Sequence, residues 1–349
     1  MSVKIGKKYE FVIFFMYFCT KKRRKVTSLE RIQQPIATEL ADFWNQFQDA
    51  MHHDNPLLQI ALNHLLQKKG KMMRPTLTLL SAHLVGEINQ TVMNAALALE
   101  LLHTASLVHD DVVDESNRRR GQATVNALLD NKAAVLVGDY ILSKGLHYAA
   151  QTKSTDVLDV VASVGQLLAD GELLQLHNMD AETIDERSYY EVVRKKTASL
   201  FAACAQLGTL LAGGSEGDAE RMRQFGQLVG TCFQLRDDIF DYGTSNDVGK
   251  PTGNDMREGK LTLPVIHVLN KTQDKAMTNI ARRVRRGEVN QQEIDSLIAF
   301  TREKGGLDYA EWAMDEFRMM AAGLIDEGGQ AEVVEALHLY VDYVAKRNL

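Results

Sequence analysis

The chain has 349 residues, 45% hydrophobic and 25% charged, an ordinary globular balance with length enough to bury a sizeable core in one large domain or two modest ones. Its formal net charge of -6 argues against nucleic-acid recognition through a broad basic surface. The three cysteines, Cys19, Cys204 and Cys232, are scattered and odd in number, so they form neither a disulfide framework nor a zinc pattern and suit a reducing cytoplasm.

Phe11 to Cys19 is a run of nine apolar residues followed by the basic block Lys21-Lys22-Arg23-Arg24-Lys25. A run of that length cannot span a hydrocarbon core that needs roughly 20 helical residues. The basic block follows the apolar run and no small-residue cleavage site appears, so a secretory signal is not expected either. Residues 1–27 are read as an N-terminal extension, disordered or spurious, ahead of one working domain over residues 28–349.

Ser28 to Gln67 has an amphipathic helical pattern interrupted at Asn55-Pro56, where proline restricts the residue before it. In Gly70-Lys71-Met72-Met73-Arg74-Pro75, Lys71 and Arg74 stand three apart at a helix start. Both can point to one side, as an anion clamp requires, although a solvated basic turn would look the same. Thr76 to Val85 returns to an apolar helical run.

Between Gly86 and Gly121 there is neither glycine nor proline, and Leu97, Leu101, Ala105, Val108 and Val112 recur at steps of three and four. That pattern predicts a single long helix with a core stripe. At about 100° per residue, Asp110 and Asp114 lie about 40° apart, with His103 and Ser106 on the same side one or two turns earlier. Arg118, Arg119 and Arg120 follow, placed to meet an anion held by the carboxylates.

Helical segments continue over Ala133 to Ala150, Thr155 to Gln175 and Glu186 to Ala212, the last containing Lys195-Lys196-Thr197-Ala198. Arg221 to Tyr242 reads as one helix, with Gly226 and Gly230 spaced for close packing and Gln234, Asp237, Asp238 and Asp241 within an arc of about 100°. Thr244 to Lys260, with Lys250, Asp255 and Lys260, is a charged loop expected to act as a lid. Helices resume from Leu261. Only 5 prolines occur, none between Pro75 and Pro251, so the expected class is all-α.

The two aspartate clusters carry the chemistry. No basic residue stands three or four positions from Asp110, Asp237, Asp238 or Asp241, and only Arg118 could pair with Asp114 along its own helix. Facing carboxylates of this kind suit Mg²⁺, which takes near-octahedral oxygen coordination from one or two carboxylates plus substrate phosphate oxygens. A pair of helices crossed by structural salt bridges would need basic partners at those spacings. A di-iron bundle would need Glu-x-x-His pairs, and a phosphate loop would need Gly-x-x-x-x-Gly-Lys-Ser/Thr; both are absent.

These motifs resemble the trans-isoprenyl diphosphate synthases, and within them the long-chain polyprenyl (octaprenyl-type) branch that makes quinone side chains. The match runs from about residue 30 to the C-terminus. It rests on Gly70-Lys71-x-x-Arg74-Pro75, Asp110 to Asp114 followed by Arg119-Arg120-Gly121, Lys196-Thr197-Ala198, Gln234-x-x-Asp237-Asp238-x-x-Asp241, and the Gly249-Lys250 and Gly259-Lys260 pairs. The resemblance implies a single-domain bundle of about ten or more helices around a central cavity. It implies repeated condensation of isopentenyl diphosphate with an allylic diphosphate, and three Mg²⁺ ions per site. It also implies a homodimer in the cytoplasm, with peripheral membrane contact for product release.

Carried onto matching positions, it places isopentenyl diphosphate on Lys71, Arg74, His103 and Arg120. The allylic diphosphate goes to Mg²⁺ held by Asp110, Asp114 and Asp237, with Arg119, Lys196, Lys250 and Lys260 around it and Asp111, Asp238 and Asp241 in support. Thr197 and Gln234 are expected to stabilise the allylic cation. Ala105 and Ser106, the fifth and fourth residues before Asp110, are small where bulk would stop the growing chain, which implies a long product. A terpene cyclase of the same fold typically mixes Asn, Ser/Thr and Glu in its second metal site. A regulatory partner subunit usually loses one cluster. This chain keeps two aspartate clusters.

Overall fold

The computed structural model describes residues 27–119, 121–180, 185–243, 253–325 and 328–346; residues 1–26 of the predicted extension, Arg120, and residues 244–252 of the predicted lid, Lys250 among them, lie outside them. Thr27 opens a capping box: its hydroxyl accepts the Glu30 N–H at 3.2 Å while the Glu30 carboxylate takes the Thr27 N–H at 2.7 Å. Helix α1 (Ser28–Gln33) follows, then a 3₁₀ turn with Pro35 and α2 (Ala37–Ala50). The predicted break at Asn55-Pro56 starts α3 (Pro56–Leu66), with the Asn55 side chain accepting the N–H groups of Leu57 and Leu58.

The centre is built from α4 (Met73–Val85), α5 (Gln90–Val113), α10 (Ser199–Leu211) and α11 (Glu216–Asp241), with α4 and α11 packed on α10 and α5 on α4 and α10. Helix α5 is long and apolar enough to cross a bilayer, yet most of it is buried inside the protein. The expected use of Gly226 and Gly230 is met. A methyl group would lie 2.3 Å from the Phe201 carbonyl oxygen at the first and 2.6 Å from the Ala198 Cα at the second, so only glycine lets α11 approach this closely.

Three predicted helices have different limits. The long helix stops at Val113 instead of running towards Gly121; Asp114 caps it, Glu115 takes φ +50°, and β1 (Arg118–Arg119) pairs antiparallel with β2 (Gln122–Ala123). The reason is local: Asp114 to Asn117 are turn formers, and Thr124 and Asn126 side chains donate to the Ser116 carbonyl at 2.7 and 3.1 Å. The helix expected over residues 186–212 is α9 (Glu186–Val193) and α10 joined by a π turn, Arg194–Ala198, whose widened ring is closed by the Ser199 N–H on the Arg194 carbonyl. Helix α11 begins at Glu216, five residues before the predicted Arg221, because Ser215 and Asp218 form a capping box.

Helices α6 (Val125–Leu128), α7 (Asn131–Gln151) and α8 (Thr155–Asp180) flank α5. Helix α12 (Asn254–Arg257) follows the second cluster, and α13 (Leu263–Thr272), α14 (Lys275–Arg285) and α15 (Gln291–Glu303) share a smaller core with Tyr242 and Met256. Helix α16 (Gly306–Ala322) packs on α11, and α17 (Ala331–Lys346) returns to the start of α4, where the Tyr340 hydroxyl donates to the Met73 carbonyl at 2.8 Å.

Candidate active site

A cavity of about 740 Å³ opens between the start of α4, the last turns of α5, the β hairpin and the end of α11. Lys71, Arg74, His103, Asp111 and Arg119 line one side, and Gln234, Asp237, Asp238 and Asp241 the other. A smaller cavity of about 220 Å³ adjoins it under the π turn, lined by Lys196, Thr197 and Lys260. Gln234, Asp238 and Asp255 border both, so the two form one site.

On the α4 side, Arg74 Nη1 lies 2.9 Å from His103 Nε2, and its guanidinium sits 4.9 Å from the Phe201 ring centroid. Lys71 extends over the Tyr343 ring at 5.7 Å. Both cations thus line the larger cavity while resting against aromatic rings.

In the first cluster, Arg119 Nε donates to Asp111 Oδ1 at 2.7 Å. Lys260 reaches Asp114 at 3.4 Å and Glu258 at 2.8 Å. Arg118, the partner available to Asp114 by helical spacing, instead donates to the Gly121 carbonyl at 3.0 Å, because the chain has turned into the hairpin. Burial pushes the Asp110 carboxyl up to about 6 against the pull of Lys196, with Glu172 and Asp114 adding to the rise.

In the second cluster, Asp238 is buried and accepts from Tyr189 at 2.5 Å and from Gln234 at 2.7 Å. Burial raises it to about 7 although both hydrogen bonds oppose the rise. Asp241 accepts the backbone N–H groups of Asn254 and Asp255 at 2.9 and 3.0 Å, and it too is raised, first by burial. Asp255 is pushed well up by burial and by Asp238 and Asp241 beside it.

Lys196 pairs with Glu172 and donates to Gln175 at 3.2 Å. Thr197 donates to the Gln234 amide oxygen at 2.8 Å. Ala105, 1% exposed, is in the core, and the Ser106 hydroxyl donates to the His103 carbonyl at 2.9 Å. Neither lines the two cavities, although their neighbours Thr104 and Leu107 do. Tyr189 and Glu172 escaped the sequence reading. Only the glycine next to Glu172 hints at close approach: a methyl at Gly171 would lie 2.7 Å from the Lys196 Cγ.

The donors are oxygens throughout, as hard divalent cations require. Among the described residues no three acidic, histidine or cysteine groups converge on one point. The crowded, raised carboxylates lack the positive charge such an ion would bring.

The family model of polyprenyl synthetases matches residues 55–300, a span that includes every site residue from Lys71 to Lys260. The chain belongs to the polyprenyl synthetase family. It is an enzyme, a prenyltransferase, with the all-α fold of that family. It is 34% identical over 317 residues to the octaprenyl diphosphate synthase of Haemophilus influenzae, covering 90% of this chain and 96% of that one. A geranylgeranyl pyrophosphate synthase from Bacteroides thetaiotaomicron superposes with a TM-score of 0.81 at 42% identity, over 91% and 99% of the two chains. A polyprenyl synthase from Caulobacter crescentus, complexed with calcium and isoprenyl diphosphate, gives 0.85 at 30% identity over 93% and 99%.

Proposed function

We propose that the protein is a Mg²⁺-dependent synthase that condenses isopentenyl diphosphate repeatedly with an allylic diphosphate, giving a long-chain all-trans polyprenyl diphosphate for quinone side chains. The observation that carries this reading is the pair of adjoining cavities, each with its own cations, meeting at Gln234 and Asp238. Two diphosphates held this way lie side by side, which removes much of the entropic cost of bringing the reacting carbons together.

Lys71, Arg74 and His103 bind isopentenyl diphosphate in the larger cavity, and Lys196 and Lys260 of the smaller cavity, with Arg119 across the larger one, take the allylic diphosphate; the family resemblance adds Arg120 to the first group and Lys250 to the second. Mg²⁺, when bound by Asp110, Asp114 and Asp237 with Asp111, Asp238 and Asp241 in support, supplies the neutralising charge that makes diphosphate a good leaving group. The allylic C–O bond breaks with its electron pair leaving on diphosphate, and Thr197 and Gln234 offer oxygen dipoles to the cation that remains. The C5 alkene attacks the cation to form the new C–C bond, and a proton is lost to the released diphosphate. Ala105 and Ser106 border neither cavity, so the support for a long product is the octaprenyl name of the H. influenzae relative. A second copy of the chain would cover the exposed Leu136 and Leu146 of α7 and Leu158, Leu173 and Leu176 of α8.

The test is to incubate the protein with Mg²⁺, farnesyl diphosphate and labelled isopentenyl diphosphate and to size the products. Long linear products are expected. Absence of incorporation would overturn the reading, and a cyclic hydrocarbon would indicate a terpene cyclase.

A further inference from the structure

Tyr189 on α9 is buried, with 9% exposure, and the reaction as described does not use it. Its hydroxyl donates to Asp238 Oδ2 at 2.5 Å. The other carboxylate oxygen accepts Gln234 Nε2 at 2.7 Å, and Gln234 Oε1 accepts the Thr197 hydroxyl at 2.8 Å. Side chains from α9, the π turn and α11 thus form one directed chain of hydrogen bonds.

Its direction follows from what each group can donate. Asp238 takes the tyrosine hydrogen on one oxygen and a hydrogen of the Gln234 NH₂ group on the other, which turns the amide with its nitrogen towards Asp238. The opposite amide orientation would set Oε1 against Asp238 Oδ1, acceptor against acceptor. Gln234 then shows Thr197 an acceptor, and the single hydroxyl hydrogen of Thr197 is committed to it. Thr197 lines the smaller cavity, so what its oxygen presents there is lone-pair density. The π turn matters here, because its wider ring rotates Thr197 towards the α11 face that also carries Asp238.

We propose that Tyr189 is a positioning residue for prenyl transfer: by holding Asp238, and through it Gln234, it fixes the Thr197 hydroxyl with its lone pairs towards the reacting allylic carbon. This rests on the elongating reading above. Tyr189 borders the smaller cavity, but its hydroxyl is committed to Asp238 and its ring packs edge-on against Tyr190 at 5.3 Å, so it acts through Asp238.

The test compares Tyr189→Phe, Thr197→Val and the double variant with wild type at saturating Mg²⁺ and substrates. Tyr189→Phe keeps the ring packing and should lower kcat about 10- to 100-fold, with KM for isopentenyl diphosphate within about 2-fold of wild type. The double variant should be no slower than Thr197→Val alone, because both changes act on one oxygen. Gln234→Leu, which cuts the chain one link nearer, should show the same lack of additivity. Affinity for an unreactive thio analogue of the allylic diphosphate, measured by calorimetry, should not change in Tyr189→Phe.

An unchanged kcat in Tyr189→Phe, a double variant that loses the product of the single factors, or a loss of analogue affinity matching the loss of kcat would each overturn the proposal. Failure of the elongating reading is distinct, since wild type would then incorporate no isopentenyl diphosphate.

Discussion

Arg119 and Lys260 hold Asp111 and Asp114 of the first aspartate cluster, whereas neutral donors hold Asp238 and Asp241 of the second. Tyr189 and the Gln234 amide serve Asp238, and two backbone N–H groups serve Asp241. Arg119 pulls the Asp111 carboxyl down by charge and hydrogen bond, although burial outweighs it and leaves Asp111 raised. Dipoles orient a carboxylate without neutralising it, so the cost of burying the negative charge remains. In the second cluster the hydrogen-bond donors, and at Asp241 the pull of Arg257, offset only part of that cost, and burial leaves both carboxyls raised.

The largest expected effects separate the clusters by stability. Asp110→Asn, Asp237→Asn and Asp238→Asn should each lower kcat by about 10³-fold or more, since each weakens charge neutralisation at the leaving group. Metal-free stability should diverge. Asp111→Asn keeps an acceptor for Arg119 but removes the charge from the 2.7 Å pair and should cost about 1–3 kcal/mol. Asp238→Asn removes a charge whose side chain is almost fully buried and should leave the melting temperature unchanged or higher, measured by thermal unfolding in EDTA. Equal destabilisation by both would break the distinction drawn between the clusters.

A pH series reads the burial that Asp110 of the first cluster and Asp238 of the second share. Asp110 and Asp238 are raised to about 6 and about 7, in each case mainly by burial, so the folded protein keeps protons that the unfolded chain releases. Their contribution to stability is fully present below the unfolded pKa of about 4 and is lost as pH rises through the folded values. Metal-free protein should therefore melt higher at pH 5.5 than at pH 7.5, by on the order of 5 °C. Carboxylates held low, such as Glu191 and Glu220 at about 2 beside Arg194 and Arg223, lose their contribution only under more acid conditions. Asp238→Asn should flatten part of the slope, and Mg²⁺ with inorganic diphosphate should reverse it. A slope of the ordinary sign in EDTA would count against neutral-donor support of the second cluster.

Much of this site was legible because its spacings are local. Carboxylates at steps of three and four define helix faces, glycines four apart mark a close crossing, and Asn55-Pro56 marks a break. What could not be read depends on distant partners. Lys195-Lys196-Thr197-Ala198 contains no breaker, and its π turn is seated by α8 across Gly171 and by α11 across Gly230. Tyr189 looks like any core-facing tyrosine until Asp238, 49 residues on, is folded against it. The end of α5 at Val113 was half visible, in the run of turn formers from Asp114 to Asn117, but the absence of glycine and proline spoke louder.

Packing through Gly230 gives a moderate effect. In Gly230→Ala the new methyl meets the Ala198 Cα, which is backbone and cannot swing aside. About 1–3 kcal/mol of destabilisation is expected. The Thr197–Gln234 contact next to it should open, lowering kcat more than KM for isopentenyl diphosphate. Steady-state kinetics alongside thermal unfolding would check this, and an unperturbed kcat would show that the helix spacing does not set the contact.

The smallest expected change in rate tests the helix that carries the first cluster. Ala105 is fully packed, so Ala105→Phe confounds product length with overpacking of the core. Ser106 is only partly buried and its hydroxyl bonds the backbone of its own helix, so Ser106→Phe should fold and ionise its allylic substrate at a rate within a few-fold of wild type. If the growing chain descends past the turn before Asp110, the added ring should shift the products to shorter lengths in a chromatographic assay. The second cluster offers no such gauge in this reading: Gln234 and Thr231, a turn or two before Asp238, are engaged with Asp238 and with the Gln227 carbonyl. Unchanged product length in Ser106→Phe would move the gauge away from α5 and leave the first cluster with binding alone.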